Sequence, residues 1–355
     1  MSTTTSLSPG KDRRLRRLSD PEGRFAMLAV DQRGSLRRMI GRRDEVPPDT
    51  VTAEALRQIK RVVTEAIAPL ATGLLTDPLY GYPASRDVLP PAVGLLLSGE
   101  ATGYASAEDG ERRSRLIDGF SPEQALCNGA DAMKLLIYHH PEASPETRRH
   151  EAELVEAVGE ACADVQLPLI LEVVTYPLEG VDDAGAAFAR RKPDLVADAA
   201  ETYSDPRFRV DVLKLEFPAD LSFAASYQDA PFAAGTVAYE EEDVEAACRR
   251  VDAAAGVPWV ILSAGVGIGE FVETLRHANA AGASGFLCGR AVWKDVVEHA
   301  PDLKRMRRFV QEEGRARLER LRAVNETARP WTEHPRVQGE RQGERRSGEA
   351  PVAAE

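Results

Sequence analysis

Three charged residues interrupt apolar runs that otherwise read as buried strands: Lys134 in "AMKLLIY", Glu172 in "PLILEVVTY" and Lys214 in "DVLKLEF". Side chains alternate faces along a strand, so Lys214 shares a face with Val212 and Glu216 while Leu213 and Leu215 point the other way. An amine turned into a desolvated interior loses proton affinity, more so beside a second cation such as Lys134. The neutral amine is a nucleophile toward carbonyls and forms Schiff bases. Glu172 then reads as the acid/base that moves the proton accompanying carbon–carbon bond cleavage or formation. The plainer reading is a structural ion pair between Lys214 and Glu172 or Glu216. Three such intrusions into one interior, however, cost too much desolvation to be incidental.

Other residues supply orientation and an anion site. Asp31 in "AVDQRG" suits a substrate hydroxyl or a catalytic lysine, or else caps the helix that follows. "LSAGVG" offers the Ser263 hydroxyl and the bare backbone of Gly265, and "CGRAVW" adds Gly289 and Arg290. The two turns together read as a phosphate site, and Arg33, Lys134, Lys214 and Arg290 as a basic pocket around it. His139 and His140 read as surface or loop-orienting residues. The six histidines carry no HExxH or similar spacing, so neither a metal nor a cofactor is expected.

These residues need a frame. Eight short apolar runs recur along the chain: residues 25–30, 73–77, 93–98, 132–138, 168–176, 211–217, 258–265 and 285–290. Amphipathic segments such as "TAEALRQIKRVVTEAIAPL" separate most of them. Strand and helix alternating in this way predict an α/β fold, a single (β/α)8 TIM barrel, with the reactive groups at the C-terminal ends of the strands. We expect a flexible N-terminal segment over 1–20, the barrel over 21–335 and a disordered polar tail over 336–355. Residues 99–125 read as a functional loop or an irregular helix. Lys plus Arg number 45 against 57 for Asp plus Glu, and the net charge of −12 argues against nucleic acid or an anionic membrane as partner. Cys127, Cys162, Cys248 and Cys288 show no paired spacing and read as reduced core thiols. With no apolar run long enough to span a bilayer, a cytoplasmic location is expected.

Taken together, "MLAVDQRGSLRRMI", "DAMKLLIYHH", "LILEVVTYP", "DVLKLEFP", "LSAGV" with "EFVETLRHANAAGA", and "GFLCGRAVW" resemble the class I tagatose 1,6-bisphosphate aldolase family, from about residue 20 to about residue 335. The resemblance implies that Lys214 is the Schiff-base lysine, Glu172 a proton-transfer residue and Lys134 the strand-four lysine. It likewise implies that Asp31 is the aspartate of the "DQRG" motif, with Gln32 and Arg33 beside it. The ligand's 1-phosphate would be held by Ser263, Gly265, Gly289 and Arg290. The implied reaction is metal-independent, reversible cleavage of a ketohexose 1,6-bisphosphate to dihydroxyacetone phosphate and glyceraldehyde 3-phosphate. Related class I aldolases act on 6-deoxy-6-sulfofructose 1-phosphate with the same machinery, and Arg33 is the nearest candidate for the anion at carbon 6. A phosphosugar-binding regulatory protein and a barrel isomerase with Glu172 as base are the readings from other classes. A phosphorylated ketose is the expected substrate, and a homo-oligomer, dimer or tetramer, the expected assembly.

Overall fold

The computed structural model describes residues 7–106, 110–178, 182 and 185–338. Each of the eight apolar runs forms one strand: β1 (Phe25–Ala29), β2 (Gly73–Thr76), β3 (Gly94–Ser98), β4 (Ala132–His139), β5 (Leu169–Thr175), β6 (Val212–Leu215), β7 (Trp259–Leu262) and β8 (Gly285–Cys288). All pair in parallel with their sequence neighbours, and β8 returns to β1 to close the barrel. Strands buried on both faces need apolar residues at nearly every position, and β1, β2, β3, β7 and β8 have no exposed residue. Alternation along the strands divides the core in two. Phe25, Met27, Leu75, Leu96, Ala132, Ile170, Val212, Val260 and Leu287 pack together as one cluster, while Leu28, Leu74, Leu135, Leu171, Leu213 and Ile261 belong to another with the surrounding helices.

Local chemistry fixes the crossover helices. Thr52 caps Ala53–Ile67 by accepting the Ala55 N–H, and Ser144 caps Pro145–Asp164 by accepting the Thr147 N–H, with Pro145 in the first turn, where a missing N–H costs nothing. Among the described residues no helix is long and apolar enough to cross a membrane.

Three expectations change. Residues 9–17 of the segment read as flexible form a helix, Pro9–Arg17, because its apolar residues have somewhere to go: Leu15 and Leu18 plug the N-terminal end of the barrel, and Lys11 lies 2.7 Å from Asp211. The opposite terminus does the same work: Trp331 is buried and stacks on Phe25 at 6.4 Å between ring centroids. Of the tail expected from residue 336, Arg336–Gln338 are described and Val337 is buried in the same cluster; residues 339–355 lie outside the described residues. Cys127 is exposed at the end of the helix Pro122–Cys127, whereas Cys162, Cys248 and Cys288 are buried thiols as expected.

Of residues 99–125, expected as a functional loop or an irregular helix, the described ones carry a short ribbon and the start of the helix Pro122–Cys127. Ala105–Ser106 pairs antiparallel with Arg112–Arg113 in a short ribbon, and Glu100 bridges to Leu116 at its root. This strap leaves the end of β3 and crosses beside the barrel mouth.

Candidate active site

The C-terminal ends of the strands carry a layer of charge directly above the apolar barrel filling. On β4, Ala132 packs in the interior cluster and Lys134, two residues on, sits one layer higher; Ile170 and Glu172 on β5, and Val212 and Lys214 on β6, repeat the step. Pairing register sets Glu172 beside Lys214 on β6 and beside Leu136 on β4. The four residues read as catalytic do come together. Glu172 Oε1 lies 2.9 Å from Lys214 Nζ, and its Oε2 lies 2.8 Å from Lys134 Nζ. Lys134 Nζ also lies 2.8 Å from Asp31 Oδ2 and donates to Glu100 Oε1 at 2.7 Å. All five side chains are buried.

The two lysines differ in setting. Burial alone would lower the Lys134 amine, but Asp31, Glu100 and Glu172 surround it and hold it well above the ordinary lysine value. Lys134 is therefore a fixed cation. Burial works on the carboxylates in the opposite sense. It raises Glu172 and Asp31, yet Lys134 and Lys214 outweigh it and hold both groups below their ordinary values. For Glu100 burial prevails over Lys134 and Arg33, and its carboxyl is pushed up. Among the described residues Lys214 touches a single carboxylate, that of Glu172.

The two turns read as an anion site bring their glycines and Arg290 together. Ala264 and Gly265, after β7, both have positive φ, 45° and 90°. A Cβ on Gly265 would stand 3.1 Å from the Arg290 Cζ, so the guanidinium lies directly over this turn. Gly289 permits an equally close approach: a Cβ there would meet the Ala29 carbonyl oxygen at 2.5 Å and Gln32 Nε2 at 3.1 Å. Ser263 is buried at the start of the turn and its carbonyl accepts the Val266 N–H at 3.0 Å. Lys294 fastens the loop from behind, donating to the Gly265 carbonyl at 2.9 Å. Gln32 donates to Asp31 at 3.0 Å while its Oε1 is buried without a hydrogen-bond partner. A cavity of about 400 Å³ opens over these groups, lined among others by Asp31, Gln32, Lys134, Glu172 and Arg290.

Several expectations need revision. Asp31 does not cap the helix Gly34–Asp44, whose N-cap position is Arg33 without a side-chain bond. Arg33 is buried and turned to Glu100, donating to its carbonyl and lying 3.6 Å from its carboxylate. It is thus committed within the protein. The pocket is not uniformly basic: Asp31, Glu100 and Glu172 face Lys134, Lys214 and Arg33 across its floor. Free positive charge lies at the rim, where neither Arg290 nor Arg38 has an ion-pair or hydrogen-bond partner among the described residues. Glu216, on the Lys214 face, accepts the Thr175 N–H and hydroxyl, both at 2.7 Å, and ties β5 to β6. His139 and His140 are buried, not at the surface, and His139 pairs with Asp198 at 2.6 Å.

Glu100, Arg38 and Lys294 went unremarked in the sequence. Glu100 had a usable signal, a carboxylate two positions past the end of an apolar strand, in the place Asp31 occupies after β1. Chemically, the layer combines an amine beside a carboxylate, a second carboxylate held near a permanent cation, and an uncommitted guanidinium over a glycine turn.

The sequence carries the same message when compared with known proteins. Residues 25–295 match the model of the DeoC/LacD family aldolases. The chain is 34% identical over 335 residues to tagatose 1,6-diphosphate aldolase 2 of Streptococcus agalactiae serotype III (strain NEM316), covering 92% of this chain and 99% of that one. It is also 34% identical over 335 residues to tagatose 1,6-diphosphate aldolase of Lactococcus lactis subsp. lactis, with the same coverage. Among solved structures, an archaeal fructose-1,6-bisphosphate aldolase with its catalytic Lys covalently bound to the carbinolamine intermediate superposes with a TM-score of 0.52 at 17% identity, over 88% of this chain and 99% of that one, a likeness of fold. By the extent of the family match and the identity to its named members, this chain belongs to the DeoC/LacD family of aldolases.

Proposed function

We propose that the protein is a Schiff-base aldolase that reversibly cleaves a ketohexose 1,6-bisphosphate, such as tagatose 1,6-bisphosphate, to dihydroxyacetone phosphate and glyceraldehyde 3-phosphate. The observation that carries the reading is the Glu172 carboxylate bridging Lys214 at 2.9 Å and Lys134 at 2.8 Å at the ends of adjacent strands. The names of the two bacterial relatives support the substrate.

In this reading the Lys214 amine attacks the C2 carbonyl, and loss of water leaves an iminium. Glu172, kept ionised by the lysines, takes the proton of the C4 hydroxyl. As C3–C4 breaks, its electron pair moves toward the iminium nitrogen to give an enamine, and the aldehyde departs. Return of a proton to C3 and addition of water then release dihydroxyacetone phosphate and the free amine. Lys134 stays charged throughout and, with Asp31, steadies the carboxylate and the ligand hydroxyls. Arg290 and the turn at Ser263–Gly265 hold the 1-phosphate and so bring the carbonyl within reach of Lys214. Arg38, exposed on the cavity wall, is a better contact for the second phosphate than Arg33, which is bound to Glu100.

The test is to incubate the protein with dihydroxyacetone phosphate and borohydride, digest it and locate the adduct by mass spectrometry, with Lys214→Ala as control. A reduced adduct on the peptide containing Lys214, absent from the variant, is expected. Bound ligand without any adduct would overturn the Schiff-base reading.

A further inference from the structure

Across the barrel mouth from the anion turn stands an arginine held by aromatic rings alone. Arg112 Cζ lies 4.9 Å from the ring centroid of Tyr104, 5.5 Å from Tyr138 and 5.1 Å from Tyr176, all within the range of a cation–π contact. Its side chain has no hydrogen bond or ion pair among the described residues. Its neighbours on the strap face elsewhere. Glu111 accepts from Ser144 Oγ at 2.7 Å, Arg113 donates to Thr147 Oγ1 at 2.9 Å, and the Ser114 N–H donates to Glu151 at 2.6 Å, so the strap is bolted to the start of the helix Pro145–Asp164. Alternation along the ribbon then turns Arg112 the other way, onto the three tyrosine rings.

Two of the three rings belong to the cavity. Tyr104 and Tyr138 both line it, and they meet edge to face at 5.1 Å, with Tyr138 in turn edge to face with the buried Tyr176 at 6.3 Å. Tyr138 lies on the face of β4 that also carries Lys134 and Leu136, one step further out. In the strand order β4 stands four places from β8, diametrically opposite the strand that ends in Arg290. A six-carbon ligand anchored by its 1-phosphate at Arg290 extends into the same cavity toward Arg38 and Tyr104, which both line it; Arg38 and Thr102 both lie within 4 Å of where a Cβ on Gly34 would stand, so its far half meets this wall. A three-carbon ligand anchored at the same point does not.

We propose that Arg112 is a positioning residue that holds Tyr104 and Tyr138 as a wall fitted to the distal half of the substrate, so that it governs recognition of the six-carbon sugar phosphate and not of dihydroxyacetone phosphate. The inference rests on the aldolase reading above. A guanidinium is suited to the task because it stacks on several faces at once while remaining charged, and a ring released from it is free to swing.

Arg112→Met keeps the length and apolar stem of the side chain and removes the cation. Two quantities are measured on wild type and variant: kcat and KM for cleavage of tagatose 1,6-bisphosphate, and borohydride trapping of dihydroxyacetone phosphate on Lys214. The variant is expected to raise KM for the bisphosphate roughly tenfold while trapping the three-carbon ligand as well as wild type, and Arg112→Lys is expected to recover part of the loss. Unchanged KM and kcat in Arg112→Met, with normal trapping, overturn the inference alone. An equal fall in trapping and cleavage also overturns it, since the residue would then support the whole mouth. Failure of the wild type itself to form an adduct would sink the aldolase reading, and with it this one.

Discussion

Glu172 stands between two lysines in different electrostatic settings, 2.9 Å from Lys214 and 2.8 Å from Lys134. Lys134 is ringed by Asp31, Glu100 and Glu172, which keep it charged. Lys214, on β6, meets among the described residues the carboxylate of Glu172 alone, which the two lysines hold ionised. This asymmetry supports the proposal that Lys214 is the nucleophile and leaves Lys134 the part of a permanent counter-charge.

Glu172→Gln tests that division. The amide keeps the shape of the side chain but cannot carry a proton between C4 and C3 of the ligand. Cleavage is expected to fall by roughly a hundredfold to ten-thousandfold while the adduct of dihydroxyacetone phosphate on Lys214 still forms. Cleavage within tenfold of wild type would show that another group carries the proton.

Removing the central cation has a different signature. Lys134→Met would leave Asp31, Glu100 and Glu172 buried around an apolar chain, and stripping one side of a buried ion cluster costs about 3–5 kcal/mol. Glu100→Gln retains a hydrogen-bond acceptor for Lys134 and neutralises the carboxyl that burial has already pushed up, so about 1 kcal/mol is expected. Denaturant unfolding of the two variants checks the order. Equal costs would mean that the cluster does not centre on Lys134.

The anion turn can be probed without touching a charged residue. At Gly265, φ is 90° and a Cβ would stand 3.1 Å from Arg290 Cζ. Gly265→Ala therefore both strains the backbone, by about 1–2 kcal/mol, and displaces the guanidinium. Inorganic phosphate is expected to protect the variant from thermal unfolding far less than it protects wild type. Equal protection would place the anion elsewhere.

Much of this site was legible because a charge inside an apolar strand is conspicuous. Lys134, Glu172 and Lys214 were found by their cost to the strand, and the parallel register then placed them on adjacent strands. Glu100 was harder, since it follows β3 in a segment with no period, and it is the pairing of β3 with β4, which sets Ser98 beside Lys134, that brings it there. Arg33 shows a related limit. Sequence shows that a cation follows Asp31 but not that it donates to the carbonyl of Glu100, 67 positions later, and lies 3.6 Å from its carboxylate. The helix Pro9–Arg17 was missed because its short, basic sequence has little apolar content, and what orders it is the open end of the barrel that Leu15 and Leu18 fill.

Glu151 links the strap to pH. It is buried on the helix Pro145–Asp164; one oxygen accepts the Ser114 N–H at 2.6 Å and the other has no hydrogen-bond partner among the described residues. Burial pushes its carboxyl up from 4.5 to about 7, against the Ser114 bonds and the charge of Arg113, which pull it down. Below the unfolded value both states hold the proton and folding gains nothing from pH. Between 4.5 and 7 the folded state keeps a proton that the unfolded chain has lost, so stability from this group falls by about 1.4 kcal/mol per pH unit as pH rises, then levels off above 7. Glu151→Gln, which preserves the acceptor for Ser114, removes that slope. The variant should match wild type near pH 4.5 and exceed it by roughly 2–3 kcal/mol at pH 8, read from denaturant unfolding at a series of pH values. A difference that stays constant across the series would mean that Glu151 does not titrate in this window.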